Sequence, residues 1–337
     1  MKRLPFLLCA FAALAGSLRA ADPKSAADYN RLLGRGINFG NALEAPREGD
    51  WGLTLEEDYF ERVKKAGFNS VRLPIRWSAH AGAKPPHEID AAFFKRIDWA
   101  VEQALSRDLV AVLNVHHFDE LLQDPDKHEA ELLALWKQIA EHYRDRSNRL
   151  YFELLNEPNG KLTEERWNAL VPKLLEVVRA TNPKRIVIVG PGQWNGLGAL
   201  DKLSLPEKDR NLIVTFHYYS PFHFTHQGAE WLSESKKWKG TTWTGTAKET
   251  EELSKDFAKA AAWAKKHERP LFLGEFGSYG VADMDSRARW TRAVAREAEK
   301  HGFSWAYWEF GAGFAAYDRK AKAWHEPLLK ALTDKAP

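Results

Sequence analysis

Residues 150–160 read LYFELLNEPNG. A short apolar run, Leu150 to Leu155, stops abruptly at Asn156-Glu157-Pro158-Asn159-Gly160. A run of about six apolar residues bounded by Pro and Gly suits a strand buried on both faces, as in a parallel sheet covered by helices. Glu157 then sits where a strand gives way to a loop. In barrels of alternating strands and helices that rim carries the chemistry, because the strand is rigid and the loop leaves a polar group open to a cleft. The same residue types also make an ordinary turn with a solvated glutamate. The neighbouring sequence decides between the two.

Outward from this stretch, one alternation repeats. Upstream, Gly34 to Leu43 (GRGINFGNAL) reads as a first strand ending near Asn41, Phe68 to Trp77 (FNSVRLPIRW) as the second and Leu109 to Phe118 (LVAVLNVHHF) as the third. Between them, Thr54 with Glu57 suggests a capping box opening a helix, and Asp90 caps another with Phe94, Ile97, Val101 and Leu105 on its inward side. Leu132, Leu135, Trp136, Ile139 and Tyr143 recur at helical spacing before Leu150. Downstream, further strands read at Arg185 to Gln193, Leu212 to Ser220, Pro270 to Gly277 and Gly302 to Phe310, with helical patterns between and a final helix to about Thr333.

Eight strands alternating with helices, without a linker or short repeat, predict an α/β fold: a single (β/α)8 TIM barrel. An open doubly wound sheet fits less well, because no phosphate-cradling Gly-rich turn follows the first strand. Pro221 to Thr250 is longer than ordinary connections and rich in Trp, which points to function.

The chain has 337 residues and is 44% hydrophobic, enough for a large core. Lys2 and Arg3 precede an apolar stretch, Leu4 to Leu14, followed by small residues with cleavage expected after Ala15 or Ala20. Residues 1–20 therefore read as a secretory signal peptide too short to span a bilayer, and 21–337 as the barrel catalytic domain. The expectation is an exported protein, secreted or periplasmic, with no membrane partner in its mature form. Cys9, the only cysteine, lies in that signal, so the mature chain would rely on core size and not on disulfides. Loss of Lys2, Arg3 and Arg19 takes the formal charge from +3 to 0, which gives no reason to expect nucleic acid as a partner. The 14 Trp residues suit flat ligand faces such as sugar rings, although core packing must account for most of them.

Aligning the eight strands puts polar side chains at the same end of nearly every one: Asn41, Arg72, His116 and His117, Asn156 and Glu157, His217 and Tyr219, Glu275, and Trp308. A lone buried His or Arg is more often a satisfied core group. Seven strands doing this together is hard to obtain from packing, because each unpaired buried polar group costs kilocalories. Two carboxyls, Glu157 and Glu275, stand out. An apolar setting would raise both pKa values, while Arg72 could hold one of them ionised. One acid and one anion is the division that glycosidic bond cleavage needs. A metal site is the competing use of such a ring, but no His-x-x-x-His or Glu-x-x-His pairing is present, and adjacent His116 and His117 would point to opposite faces of a strand. No metal and no cofactor are expected.

Arg72 in RLP, His116 in NVHH, Asn156-Glu157-Pro158, His217-Tyr218-Tyr219, Glu275 in GEFG and Trp308 together resemble glycoside hydrolase family 5, the cellulase family of retaining β-glycanases. The resemblance runs from about Gly34 to Thr333, and the stretch His217 to Trp231 is similar to bacterial and clostridial endoglucanases. It implies that Glu157 is the general acid/base and Glu275 the nucleophile. Asn41, Arg72, His116, Asn156, His217, Tyr219 and Trp308 would surround the sugar at the bond being cut. The function so implied is a retaining endo-β-1,4-glucanase acting as a monomer on a polysaccharide or oligosaccharide. β-Mannan, mixed-linkage glucan, xyloglucan and exo action remain open. Many members carry Asp on the third strand where this chain has Asn114-Val115-His116. Retention requires the two carboxyls to lie about 5 to 5.5 Å apart. The long segment Pro221 to Thr250 would form a cleft wall with Trp231 or Trp243 as a platform.

Overall fold

The computed structural model describes residues 23–334. The expected signal segment lies outside them. Eight strands close into one barrel in chain order: β1 Arg35–Asn38, β2 Ser70–Leu73, β3 Val110–Asn114, β4 Leu150–Glu153, β5 Val187–Val189, β6 Leu212–His217, β7 Leu271–Phe276 and β8 Ser304–Tyr307. All neighbours pair in parallel, and β8 closes on β1 through Ala306 beside Gly36. Among the described residues, no helix is long and apolar enough to cross a membrane.

The side-chain period of two along each strand divides the barrel. Ala111 and Leu113 face outward and join the large apolar layer under the helices, while Val110 and Val112 face inward with Tyr151, Ile188, Ile213 and Phe272. The helix Ala26–Leu33, capped by Ser25, supplies Ala26 and Leu33 to the inner cluster. One step further along the same inward rows come Asn38, Arg72, Asn114 and Glu153, all buried. The lumen is thus apolar at its lower end and polar at its C-terminal end.

Several boundaries differ from the sequence reading. β1 stops at Asn38 and β4 at Glu153 because the rim residues leave the ladder: Asn41 and Glu157 have φ of 66° and 49°. The expected Thr54 capping box does not form, and the helix Glu57–Lys65 starts after Glu56 without a side-chain cap. The segment after β6 is partly helical. It holds short turns at Phe222–Thr225 and Ser235–Trp238, and the helix Ala247–His267 begins with a capping box of Thr246 and Glu249.

Candidate active site

The polar layer is built on Arg72. Its Nε and Nη2 both donate to Glu153, each at 2.7 Å, and its Nη1 donates to Glu275 Oε1 at 2.7 Å and Asn38 Oδ1 at 2.9 Å. Nη2 also donates to Asn156 Oδ1 at 2.7 Å. Burial alone would discourage the guanidinium charge, but Glu153 and Glu275 outweigh it and hold Arg72 charged. One cation therefore faces two buried carboxyls, and a third ionised carboxyl nearby is disfavoured.

That third group is Glu157. Its Oε1 lies 2.7 Å from His217 Nδ1, which is 3.6 Å from Glu275 Oε2. Burial pushes Glu157 up to about 7, opposed by Arg72 and assisted by Glu153. Burial likewise lowers His217 to about 4, so the ring is neutral near pH 7. The Asn195 amide lies 3.4 Å from His217 Nε2. Turned so that its nitrogen donates to Pro191 O at 2.9 Å and its oxygen accepts from Glu157 N at 3.3 Å, that amide presents its oxygen to Nε2. The ring proton assigned by this network is on Nε2, leaving Nδ1 to accept a proton from Glu157.

Glu275 closes the group. It accepts from Tyr219 OH at 2.9 Å and lies 4.0 Å from His116 Nε2. Burial raises its pKa, while the charged Arg72 pulls it back. Register shifts between Phe216 and His217 and between Leu273 and Phe276 re-aim these side chains at the strand ends. Gly274 permits the approach, since a Cβ there would meet Thr215 Oγ1 at 2.5 Å and His217 Nε2 at 3.1 Å.

Asn41, His116, Asn156, Glu157, Tyr219, Glu275 and Trp308 all line one cavity of about 750 Å3. His217 lines a second, adjoining cavity, which shares Glu157 and Tyr219 with the first. Arg72 sits beneath, fully buried, and acts through Glu275 and Asn156. The rings of His116 and Trp308 stack at 5.5 Å and 6°, and His116 accepts or donates at 3.0 Å with Asn114. The two adjacent histidines do not diverge as strand geometry would require. β3 has ended at Asn114, and His117 joins His116 in the cavity wall.

Of the long segment, Trp231 lines the cavity and is 61% exposed. Trp243, the alternative platform, is 2% exposed and packs away from the cavity with its backbone N bonded to Ser286. Glu157, His217 and Glu275 each offer a ligand atom within 4.8 Å of the others. The Arg72 guanidinium already bonded to Glu275 opposes a cation there.

Three carboxyls escaped the sequence reading. Glu153 was hidden in the apolar run, although a lone charge there, two residues after inward Tyr151, is its signal. Glu44 lines the cavity, accepts backbone N–H groups of Asn41 and Ala42, and burial pushes it up to about 8. Glu309 accepts from the backbone of Gly311, Ala312 and Phe314, holding the loop that brings Phe314 to the cavity.

Residues 35–313 match the family model described as Cellulase (glycosyl hydrolase family 5). Endoglucanase H of Acetivibrio thermocellus is 36% identical over 94% of this chain, which spans about 34% of that protein's length. The crystal structure of endoglucanase Cel5A from Thermotoga maritima superposes with a TM-score of 0.90 at 50% identity, covering 92% of this chain and 100% of that one. Cel5A structures in complex with cellobiose and with mannotriose are similarly close, with TM-scores of 0.90 and 0.89. With the model match covering most of its barrel, this chain belongs to glycoside hydrolase family 5, the cellulase family.

Proposed function

We propose that the protein is a retaining endo-β-1,4-glucanase that cuts β-glucan chains by double displacement. The observation that carries this reading is the pairing of Glu157 and Glu275 across His217, with oxygens within 4.8 Å, one carboxyl bonded to a guanidinium and the other not. Glu275, bonded to Arg72 and Tyr219, attacks the anomeric carbon as the carboxylate. Glu157 gives its proton to the departing oxygen, and the leaving chain exits with that proton. Water then attacks the glycosyl-enzyme, losing a proton to Glu157 as its oxygen bonds the anomeric carbon and the Glu275 ester breaks. Asn156 spends its oxygen on Arg72, which leaves its Nδ2 to donate to the sugar 2-hydroxyl. Trp308, braced against His116, offers a face to the ring.

The cellobiose complex of Cel5A supports a glucan substrate, and its mannotriose complex favours β-mannan as a second one. Export rests on the charged start and the apolar Leu4 to Leu14, with residues 1–20 as signal, and the mature chain acts alone, without nucleic acid or membrane. Reducing-sugar release from a cellulose derivative, lichenan, mannan and xyloglucan tests the reading. Release from the first three is expected, and binding without release would leave a carbohydrate-binding barrel instead.

A further inference from the structure

One wall of the first cavity is carried by the loop between β1 and the helix Glu57–Lys65. This loop supplies Asn41, Glu44 and Trp51 to that cavity, and none of its residues lines the second. Its body is well tied. Leu43 O accepts from Arg76 N at 3.0 Å, and Glu48 accepts from Leu55 N at 2.8 Å and from two nitrogens of Arg96. Its tip is not. Residues 49–52 are all exposed, and they turn at Gly49 and Gly52, with φ of 95° and 80°, where the backbone is least restrained. Trp51 stands on this tip, 41% exposed, with its indole edge-on to His117 at 5.5 Å.

Among the described residues, one side chain from outside the loop hydrogen-bonds this tip. Arg319 Nη1 donates to Gly52 O at 2.6 Å, while its Nε donates to Gly311 O at 2.7 Å in the loop after β8. Gly311 lets the arginine stem lie against the backbone, since a Cβ there would meet Arg319 Cγ and Cδ at 3.1 Å. The loop after β8 is fixed on its own account. Glu309 binds three of its backbone N–H groups, and Phe314 O accepts from Arg287 Nη2 and Tyr307 OH, each at 2.9 Å. Arg319 itself follows Tyr317–Asp318, which pairs antiparallel with Ala323–Trp324. Tyr317 stacks on Phe310 at 5.0 Å, and Asp318 holds the turn by accepting from Lys320 N and Ala321 N. The guanidinium therefore joins a loosely held tip to a rigid wall of the same cavity. The two bonds leave from different nitrogens of one rigid plane, which a lysine ammonium does not reproduce.

We propose that Arg319 is a positioning residue that pins Trp51 in the first cavity and so strengthens the hold of that cavity on the β-glucan chain. The nature of the chain rests on the proposed function. Arg319 touches no substrate and acts through Gly52 and Trp51, so its test is a double-mutant cycle with cellopentaose as substrate. Trp51→Ala and Arg319→Met should each raise KM about three- to tenfold with kcat within about twofold of the wild type. The double variant should be no worse than Trp51→Ala alone, because the pin has nothing left to hold. Arg319→Lys keeps a positive charge near Glu309 but not the two-nitrogen bridge, and should behave like Arg319→Met. A purely structural role would lower the apparent kcat through loss of folded protein and leave KM in place. That result, an unchanged KM in both Arg319 variants, or effects on KM that multiply in the double variant, would overturn the proposal. A wild-type protein that does not cleave cellopentaose would overturn the proposed function instead, and shows before any variant is compared.

Discussion

Glu157 and Glu275 face one another at the mouth of the barrel with oxygens within 4.8 Å, and His217 Nδ1 lies 2.7 Å from the first and 3.6 Å from the second. Oxygens this close accord with the proposed retaining mechanism, whose two carboxyls lie about 5 to 5.5 Å apart, whereas inverting enzymes hold theirs at about 6.5 to 9.5 Å. The surroundings of the two differ as much as their spacing is close. Glu275 has a guanidinium and a phenol bonded to it, and Glu157 has a neutral imidazole.

The pH dependence follows from that difference. Glu157 is pushed up to about 7 by burial and under the proposed mechanism works protonated in the first step, so kcat/KM for β-glucan is expected to fall as pH rises through about 7. Under the same mechanism Glu275 works ionised, and its pKa is also raised by burial, so the acid limb is expected above the ordinary 4.5. β-Cellobiosyl fluoride needs little protonation, and its alkaline limb should move to higher pH. Coincident alkaline limbs for the two substrates would contradict the role given to Glu157.

Replacing either glutamate separates the two steps. Glu275→Ala removes the proposed nucleophile, and azide entering the vacated space should yield a glycosyl azide of inverted configuration. Glu157→Ala should lose about 10² to 10⁴ in rate on β-glucan while an activated substrate still forms the glycosyl-enzyme. Azide should then give a product of retained configuration. Mass spectrometry of the trapped protein and the anomeric configuration of the azides check both, and swapped outcomes would exchange the assignments.

Tyr219→Phe deletes the 2.9 Å bond to Glu275 Oε2 and leaves the fold intact. Without that donor the carboxylate is less favoured, so the acid limb of kcat/KM should move upward. Arg72→Met is a harsher change. It leaves Glu153 and Glu275 buried without their cation and is expected to destabilise by about 3 to 5 kcal/mol, measured by denaturant unfolding. A stable Arg72→Met protein with an unmoved pH profile would mean that the guanidinium does not govern Glu275.

Trp231 and Trp243 sit on the same segment and should respond in opposite ways. Trp243 is buried, and Trp243→Ala should cost about 3 to 5 kcal/mol in stability with little change in chain-length preference. Trp231 is exposed in the cleft, and Trp231→Ala should stay within about 0.5 kcal/mol in stability while kcat/KM on β-glucan drops several-fold. Thermal melts and oligosaccharide kinetics together distinguish them.

The barrel was legible because each strand is buried on both faces and so reads as an unbroken apolar run between turn residues. The ring of rim residues was legible for the complementary reason, since a polar group at the end of such a run is costly to bury unless a partner meets it. What escaped depended on backbone geometry. Asn41 and Glu157 leave their strands through left-handed φ, so the strands end earlier than hydrophobicity suggests. The turn at Gln193 to Asn195 carries no glycine at its left-handed positions, and nothing local announces it. Glu153 is not legible in the sequence because an apolar run conceals one charge until Arg72 is known to lie opposite it. Trp231 and Trp243 are alike in sequence context, and only packing tells the platform from the core residue.

The configuration of the first product tests the central claim most directly. Proton NMR of cellopentaose hydrolysis by the wild-type protein, recorded before mutarotation, should show the β-anomer of the newly formed reducing end appearing first, with the α-anomer growing in later. Initial release of the α-anomer would mean a single displacement by water, and would contradict Glu275 as a nucleophile paired with Glu157.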